Sequence, residues 1–187
     1  MQQNPAMPLG SSVYCGYDPT AESIHLGNMV SLITLMHFRG AGYRPIVLLG
    51  GATGLIGDPS GRSSERNLLD QATIESNVQS FETQFGHLTS QLAQSYTKNN
   101  SDLDTASFSD FQFVNNIDFY EKMNTVSFLR DVGKHFRVST MLSRDSVKSR
   151  MTDIDEQNEG ISFTEFSYQV LQAYDFYQLN KKENCLC

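Results

Sequence analysis

The stretch LLGGATGLIGDPSGRSSER, residues 48–66, starts as the end of an apolar run and breaks into a glycine-rich turn carrying one acid, Asp58, and two arginines, Arg62 and Arg66. The run itself, Arg44 to Gly50, is apolar without alternation, which predicts a strand buried on both faces of a parallel sheet. Gly50, Gly51, Gly54, Gly57 and Gly61 give the turn access to positive φ and to close approach by another molecule. Asp58 offers a fixed anion for a cation, and guanidinium forks suit phosphate. An ordinary strand-to-helix connector uses Gly and Asp-Pro in the same way, so this loop alone leaves a ligand site and a connector equally open.

Outward from that loop, strand and helix patterns alternate. Ser12 to Tyr17 reads as a first strand, and DPTAES supplies turn and cap residues before a helix from about Ile24 to Gly40. After the glycine loop an amphipathic helix is expected from about Ser64 to Ala93, with Leu68, Ile74, Val78, Phe81, Phe85, Leu88 and Leu92 on its apolar face. The polar stretch from Ser95 to Ser107 reads as a surface loop, and Phe111 to Asn116 as a third strand. A helix from about Phe119 to Asp131, an irregular basic segment HFRVSTMLSRDSVKSRM and an acidic turn TDIDEQNEG then precede a last helix, Ser162 to about Lys182. The closing residues NCLC look like the start of another strand. Strand, helix, strand, helix, strand predicts an α/β fold with right-handed crossovers and one parallel sheet.

Composition sets the outer limits. The 187 residues are 39% hydrophobic and 19% charged, a normal globular mixture that suits one domain. With 14 Lys+Arg against 21 Asp+Glu, the net charge of -7 argues against a broad basic face for nucleic acid and leaves room only for a local patch. No apolar stretch approaches the roughly 18 residues of a membrane span, and the first residues have the pattern of neither a secretory nor a transit peptide. The three cysteines, Cys15, Cys185 and Cys187, are an odd number suited to a reducing compartment, and we read them as small buried hydrophobes rather than metal ligands.

Ligands of open parallel sheets bind beyond the carboxyl ends of the strands. Three segments fall there in this reading: YCGYDPTAESIHLGN, the glycine loop, and Asn115-Asn116. His25, Gly27 and Asn28 stand at the first turn of a helix, where free N–H groups attract phosphate and Gly27 spares a side chain that would block a flat base. A histidine at a helix start is also a common surface or capping residue. On the last helix Tyr168, Gln172 and Asp175 share one stripe, either a solvated face or one wall of a cleft. Neither GxGxxG after the first strand nor GxxxxGK[ST] is present, which disfavours dinucleotide enzymes and phosphate-loop hydrolases.

Taken together, VYCGYDPTAESIHLGN, GGATGLIGDPSGRSSER and ISFTEFSYQVLQAYDF resemble, in order and approximate separation, the catalytic domain of tyrosyl-tRNA synthetases of the bacterial and mitochondrial type. In that class I family HLGN stands for the HIGH signature. The resemblance runs from about Val13 to the end and implies a Rossmann-like core. It implies that Tyr14 and Asp175 meet the phenol of L-tyrosine, that Asp58, Tyr168 and Gln172 surround its ammonium group, and that Asn116 is a further polar residue of the same pocket. For ATP it implies Cys15, Gly16, Asp18, Thr20, His25, Gly27, Asn28, Ser31 and Thr53, with Arg62 and Arg66 approaching the pyrophosphate. His25, Asn28, Arg62 and Arg66 would carry the catalysis. ATP with Mg2+ enters as substrate, tRNA(Tyr) is the acceptor, and the family pairs as a homodimer around the segment before the last helix, Phe163 included. The family's GSDQ-type segment, KMSKS loop and anticodon-binding region have no counterpart here, so residues 1–12 are expected to be a tail and 13–187 a partial catalytic domain, truncated after the first half of the sheet. Such a sheet is expected to leave an open apolar edge. A non-catalytic tyrosine- or nucleotide-binding module derived from a synthetase is the alternative. The family type implies the mitochondrial matrix or a bacterial cytoplasm.

Overall fold

The computed structural model describes residues 8–60, 68–98, 110–152 and 160–187. Three strands, β1 (Ser12–Tyr17), β2 (Arg44–Leu49) and β3 (Gln112–Asn115), form one parallel sheet in the order β1-β2-β3. Ser12 lies opposite Arg44 and Tyr17 opposite Leu49, while Ile46 lies opposite Gln112 and Leu49 opposite Asn115. Between β1 and β2 runs α1 (Leu26–Gly40), and between β2 and β3 run the single turn α2 (Thr53–Ile56) and the long α3 (Gln71–Lys98). A 3-10 turn (Asn116–Phe119), α4 (Thr125–Asp131), a second 3-10 turn (Gly133–His135), α5 (Val138–Leu142) and α6 (Asp145–Thr152) then lead to α7 (Phe163–Glu183).

The period-2 alternation of strands sorts side chains onto two faces. Val13, Tyr17, Val47 and Leu49 pack with Leu32, Leu35 and Met36 of α1 and with Ile74, Val78, Phe81 and Phe85 of α3. Ile46 and Leu48 point the other way, into Phe119, Val132, Met141, Val170, Tyr174 and Leu179, with Tyr14 packed against the same cluster. That explains the unbroken apolar run in β2, because its residues from Pro45 to Leu49 are buried whichever face they take. It also puts Tyr14 on the face that α7 covers.

The end of α7 is tied back to β1. Asn184 takes a left-handed conformation (φ 50) that ends the helix, and Cys185 then bridges Ser12 in parallel. Leu186 N–H donates to the Ser12 carbonyl (3.1 Å), and Tyr14 N–H donates to the Cys187 carbonyl (2.8 Å). The strand-like beginning expected for NCLC is therefore a short parallel addition at the β1 edge.

Several expectations shift. α3 runs on through Ser95–Lys98 where a loop was expected, and there the Thr97 hydroxyl is satisfied within the helix by the Ala93 carbonyl (2.9 Å). The rest of that expected loop, 99–107, and the expected helix start at Ser64 lie outside the described residues. Leu68 precedes α3 and is 54% exposed, so it is not part of the apolar stripe. The expected helix from Phe119 starts only at Thr125, where Asn124 caps it, and the basic segment after it holds two short helices, α5 and α6. Cys185 is buried as expected, but Cys15 is half-buried and Cys187 exposed. Among the described glycines of the loop, only Gly57 has a positive φ, 86. Gly50 and Gly51 are there for closeness: a Cβ on Gly50 would strike the Asp18 carboxylate, and one on Gly51 the Asn115 amide. No described helix is long and apolar enough to cross a membrane, and no group of three or more His, Cys, Asp or Glu residues among those described is placed to hold a metal ion.

Candidate functional site

A cavity of about 480 Å³ opens at the carboxyl ends of β1 and β2. β1 and the turn after it contribute Tyr14 through Asp18, Thr20 and His25; β2 and the glycine loop contribute Leu48, Gly50, Thr53 and Asp58. Asn116 closes one side, and Tyr168, Gln172 and Asp175 form a wall from α7. The stripe on the last helix therefore faces a cleft. Positions 4 and 3 apart put those three side chains on one side of α7, while Val170 and Tyr174 on its other side are buried in the core.

The wall is organised by one continuous hydrogen-bond chain. Tyr120 Oη donates to Asp175 Oδ1 (2.6 Å), and Asn116 Nδ2 donates to Asp175 Oδ2 (2.8 Å) and lies 3.0 Å from Thr53 Oγ1. The Thr53 hydroxyl donates to Asp18 Oδ1 (2.6 Å), and Tyr168 Oη donates to Asp18 Oδ2 (2.8 Å). Asn116 is fully buried, and its Oδ1 accepts from Ala52 N–H (2.7 Å), so both amide hydrogens and a carbonyl lone pair are spent inside the protein. Asn116 thus fixes the glycine loop to α7 more than it addresses the cavity. Close approach of the loop is what Gly50 permits, and any side chain there would break the junction of Asp18 and Thr53.

Burial sets the electrostatics. It pushes the Asp175 carboxyl up to about 6; the hydrogen bonds from Tyr120 and Asn116 pull it down, and the negative charge of Asp18 pushes it up again. Burial, with the nearby Asp175, raises the Tyr14 hydroxyl to about 12, and the Tyr168 hydroxyl goes up through burial and the charges of Asp18 and Asp58. The phenols of Tyr120 and Tyr168 within this network and of Tyr14 beside it are neutral at neutral pH. Tyr14 stacks on Phe176 (6.0 Å between ring centroids, 27° between planes), which sets its ring beside the Asp175 wall. A pair consisting of a neutral phenol and a buried carboxylate is able to serve a ligand hydroxyl as donor and acceptor at once.

All six residues expected around an amino acid, Tyr14, Asp58, Asn116, Tyr168, Gln172 and Asp175, line this cavity. So do Cys15, Gly16, Asp18, Thr20, His25 and Thr53 from the group expected for a nucleotide. Asp18 is bonded to Tyr168 and Thr53, so it joins the two groups rather than belonging to one. Gly27, Asn28 and Ser31 are not among the lining residues. His25 is the N-cap of α1: its Nδ1 accepts from Asn28 N–H (3.3 Å), while Asn28 Oδ1 accepts from His25 N–H (2.9 Å). A Cβ on Gly27 would meet the His25 ring at 2.9 Å, so this glycine leaves room for the imidazole at the start of α1. Ser31 sits behind the cavity, 3.0 Å from Tyr17 Oη. Arg62 and Arg66 lie outside the described residues. Tyr17, Leu48 and Gly50 line the cavity without having been expected, and Tyr120 stands directly behind it. For Tyr17 the alternation of β1 points to the core face shared with Val13, and for Tyr120, in an irregular corner, there was no signal.

A second, smaller cavity of about 60 Å³ lies beyond Asp58, shared by Tyr168, Gln172, Arg144 and Glu165. Beside it Arg150 and Glu165, each 1% exposed, form an ion pair (3.1 Å), and Arg150 also donates to the Gly160 carbonyl (2.9 Å). This pair ties α6 and the chain before α7 to the base of the Tyr168 wall.

Residues 10–186 match the family described as tRNA synthetases class I (W and Y). A tyrosine-tRNA ligase of Flavobacterium psychrophilum is 46% identical over 176 residues, 94% of this chain and 37% of that protein. The mitochondrial tyrosine-tRNA ligase of Drosophila melanogaster is 44% identical over 174 residues, 93% of this chain and 36% of its own length. Among solved structures, a C-terminally truncated mitochondrial tyrosyl-tRNA synthetase of Aspergillus nidulans superposes with a TM-score of 0.75 at 30% identity, covering 92% of this chain and 46% of that one. A tyrosyl-tRNA synthetase of Archaeoglobus fulgidus, solved in complex with L-tyrosine, shares the fold at a TM-score of 0.57 and 18% identity, covering 91% of this chain and 44% of that one. The chain thus spans little more than a third of the length of the curated relatives it matches. With a parallel α/β sheet, a glycine loop drawn against α7 and a family match over nearly its whole length, this chain belongs to the class I (W and Y) tRNA synthetases.

Proposed function

We propose that this sequence is the tyrosine-binding part of a tyrosine-tRNA ligase, which joins L-tyrosine to ATP as tyrosyl-adenylate and passes the tyrosyl group to tRNA(Tyr). The observation that carries the reading is the meeting of Tyr14, Asp58, Tyr168, Gln172 and Asp175, from three separate parts of the chain, around one cavity of about 480 Å³. In this reading the substrate phenol donates to Asp175 and accepts from Tyr14, and its ammonium group lies among Asp58, Tyr168 and Gln172. Phenylalanine would offer nothing to the Tyr14 hydroxyl or to the remaining lone pairs of Asp175. Discrimination of tyrosine from phenylalanine in this family is a known case of selection without editing; the geometry supplies a cause for it rather than a magnitude.

The tyrosine carboxylate attacks the α-phosphorus of ATP, the bond to pyrophosphate breaks, and pyrophosphate leaves with Mg2+. A carboxylate is already a nucleophile, so the protein's part is alignment and stabilisation of the charge that builds on phosphorus and on the leaving group. His25, Asn28, Gly27 and Ser31 at the start of α1, together with Cys15, Gly16, Asp18, Thr20 and Thr53, are proposed to hold ATP. Arg62 and Arg66 are proposed to approach its pyrophosphate. The capping box of His25 with Asn28 supports that part, because it holds the imidazole at the cavity mouth beside the free N–H groups of the helix end.

Phe163, 77% exposed at the start of α7, is proposed as part of a homodimer contact, and the mitochondrial matrix or a bacterial cytoplasm as the compartment. A second reading, a tyrosine-binding module without catalysis, is favoured by the place of Gly27, Asn28 and Ser31 outside the lining of the cavity. Exchange of labelled pyrophosphate into ATP, measured with and without L-tyrosine, separates the two. Tyrosine-dependent exchange supports the ligase, binding without exchange supports the module, and no preference for L-tyrosine over L-phenylalanine removes both.

A further inference from the structure

Tyr120 lies behind the cavity wall and not in it: Asp175 lines the cavity and Tyr120 does not. Its hydroxyl has two acceptors within reach, Asp175 Oδ1 at 2.6 Å and the Leu171 carbonyl at 3.0 Å, but only one proton to give. The nearer acceptor carries charge and makes the stronger bond, so the proton goes to Asp175. The ring has no freedom to leave, since it rests against Tyr174 (5.5 Å, 50°) and Phe128 (6.2 Å, 61°). The Leu171 carbonyl is one helical turn before Asp175, so this phenol spans the turn that presents the carboxylate.

The consequence is a carboxylate held at both oxygens. Tyr120 binds Oδ1 and Asn116 binds Oδ2, which removes rotation of the carboxylate plane and leaves the remaining lone pairs for a third donor arriving from the cavity. We propose that Tyr120 is a positioning residue for substrate selection, setting the orientation in which Asp175 meets the para-hydroxyl of the amino acid. This rests on the tyrosine-binding reading above and adds to it a residue that does not touch the ligand.

The groups facing Asp175 are Tyr120 of the corner after β3, Asn116 of the 3-10 turn, Tyr14 and Asp18 of β1 and the turn after it, and Tyr168 of α7. Only Tyr120 and Asn116 favour its charged form; burial and Asp18 oppose it. Removing the Tyr120 hydroxyl therefore keeps the proton on Asp175 to higher pH as well as freeing the plane.

The test is calorimetric binding of L-tyrosine and L-phenylalanine to the protein and to Tyr120→Phe, across pH 5 to 8. The expected result is about tenfold weaker binding of L-tyrosine by the variant, from loss of one bond to a charged group. Binding of L-phenylalanine should stay unchanged, and the pH at which half the tyrosine affinity is lost should move up from about 6. Equal loss for both ligands, unchanged tyrosine affinity, or an unmoved midpoint would each overturn the proposal. A wild-type protein without preference between the two ligands would instead remove the tyrosine reading itself, so the failures are distinguishable. If Tyr120→Phe loses its cooperative melt, 3-fluorotyrosine placed at position 120 gives the second arm. Its more acidic hydroxyl is the better donor and should move the midpoint down; an unmoved midpoint overturns the proposal.

Discussion

Asp175→Asn should stabilise the ligand-free protein while removing its affinity for tyrosine. The Asp175 carboxyl sits at about 6, against about 3.9 for an ordinary aspartate, so the folded state holds its proton more tightly than the unfolded chain. Stability from this group is fully present below about pH 3.9 and is lost as pH rises through 6, a difference of about 3 kcal/mol. An asparagine never acquires that charge. Its neighbours are able to adjust: Asn116 Nδ2 donates to the new carbonyl, the new amide donates to Tyr120 Oη, and the Tyr120 proton turns to the Leu171 carbonyl already at 3.0 Å. Imperfect angles in that exchange reduce the gain to about 1–3 kcal/mol, which is roughly 2–12 °C in Tm for a chain of this size. Thermal melts of both proteins from pH 4 to 7.5 measure it. The two curves should coincide near pH 4 and separate between 4 and 6. Curves that run parallel, or a variant that melts below the wild type at pH 7.5, would refute the reasoning. Added L-tyrosine should raise the melting temperature of the wild type but not of the variant.

Three further outcomes follow from the same geometry. His25→Ala should slow adenylate formation while changing tyrosine affinity less than about twofold; equal losses in single-turnover rate and in equilibrium binding would contradict a role at the nucleotide. Gly50→Ala places a Cβ against the Asp18 carboxylate and 2.5 Å from Thr53 Oγ1, so it should cost about 1–3 kcal/mol in denaturant titration and weaken tyrosine binding together. Glu165→Gln leaves the Arg150 guanidinium buried without its counter-charge and should cost about 3–5 kcal/mol, read by the same titration; a loss below about 1 kcal/mol would mean that water reaches the pair.

The sequence by itself determined the sheet and the edge at which its cavity opens. The unbroken apolar residues Ile46–Leu49 have no polar face, so they require cover on both sides, and that requirement leads to a parallel sheet with helices on each face. The 4-and-3 spacing of Tyr168, Gln172 and Asp175 is equally local, because helical geometry alone puts them on one side of α7. Other features have no local signature. Whether His25 caps a helix or lines a cavity depends on the first turn of α1, and the structure has it do both. Tyr120 lies in a corner without period, so only the packing of Phe128 and Tyr174 decides that its hydroxyl reaches a carboxylate 55 residues further on. Asp18 meets Tyr168 across 150 residues, and Asn116 meets Thr53 across 63, for the same reason. Periodicity records which face of an element is buried; it does not record which polar atoms find each other once water has been excluded, and that pairing is settled only when the two sides of the sheet close.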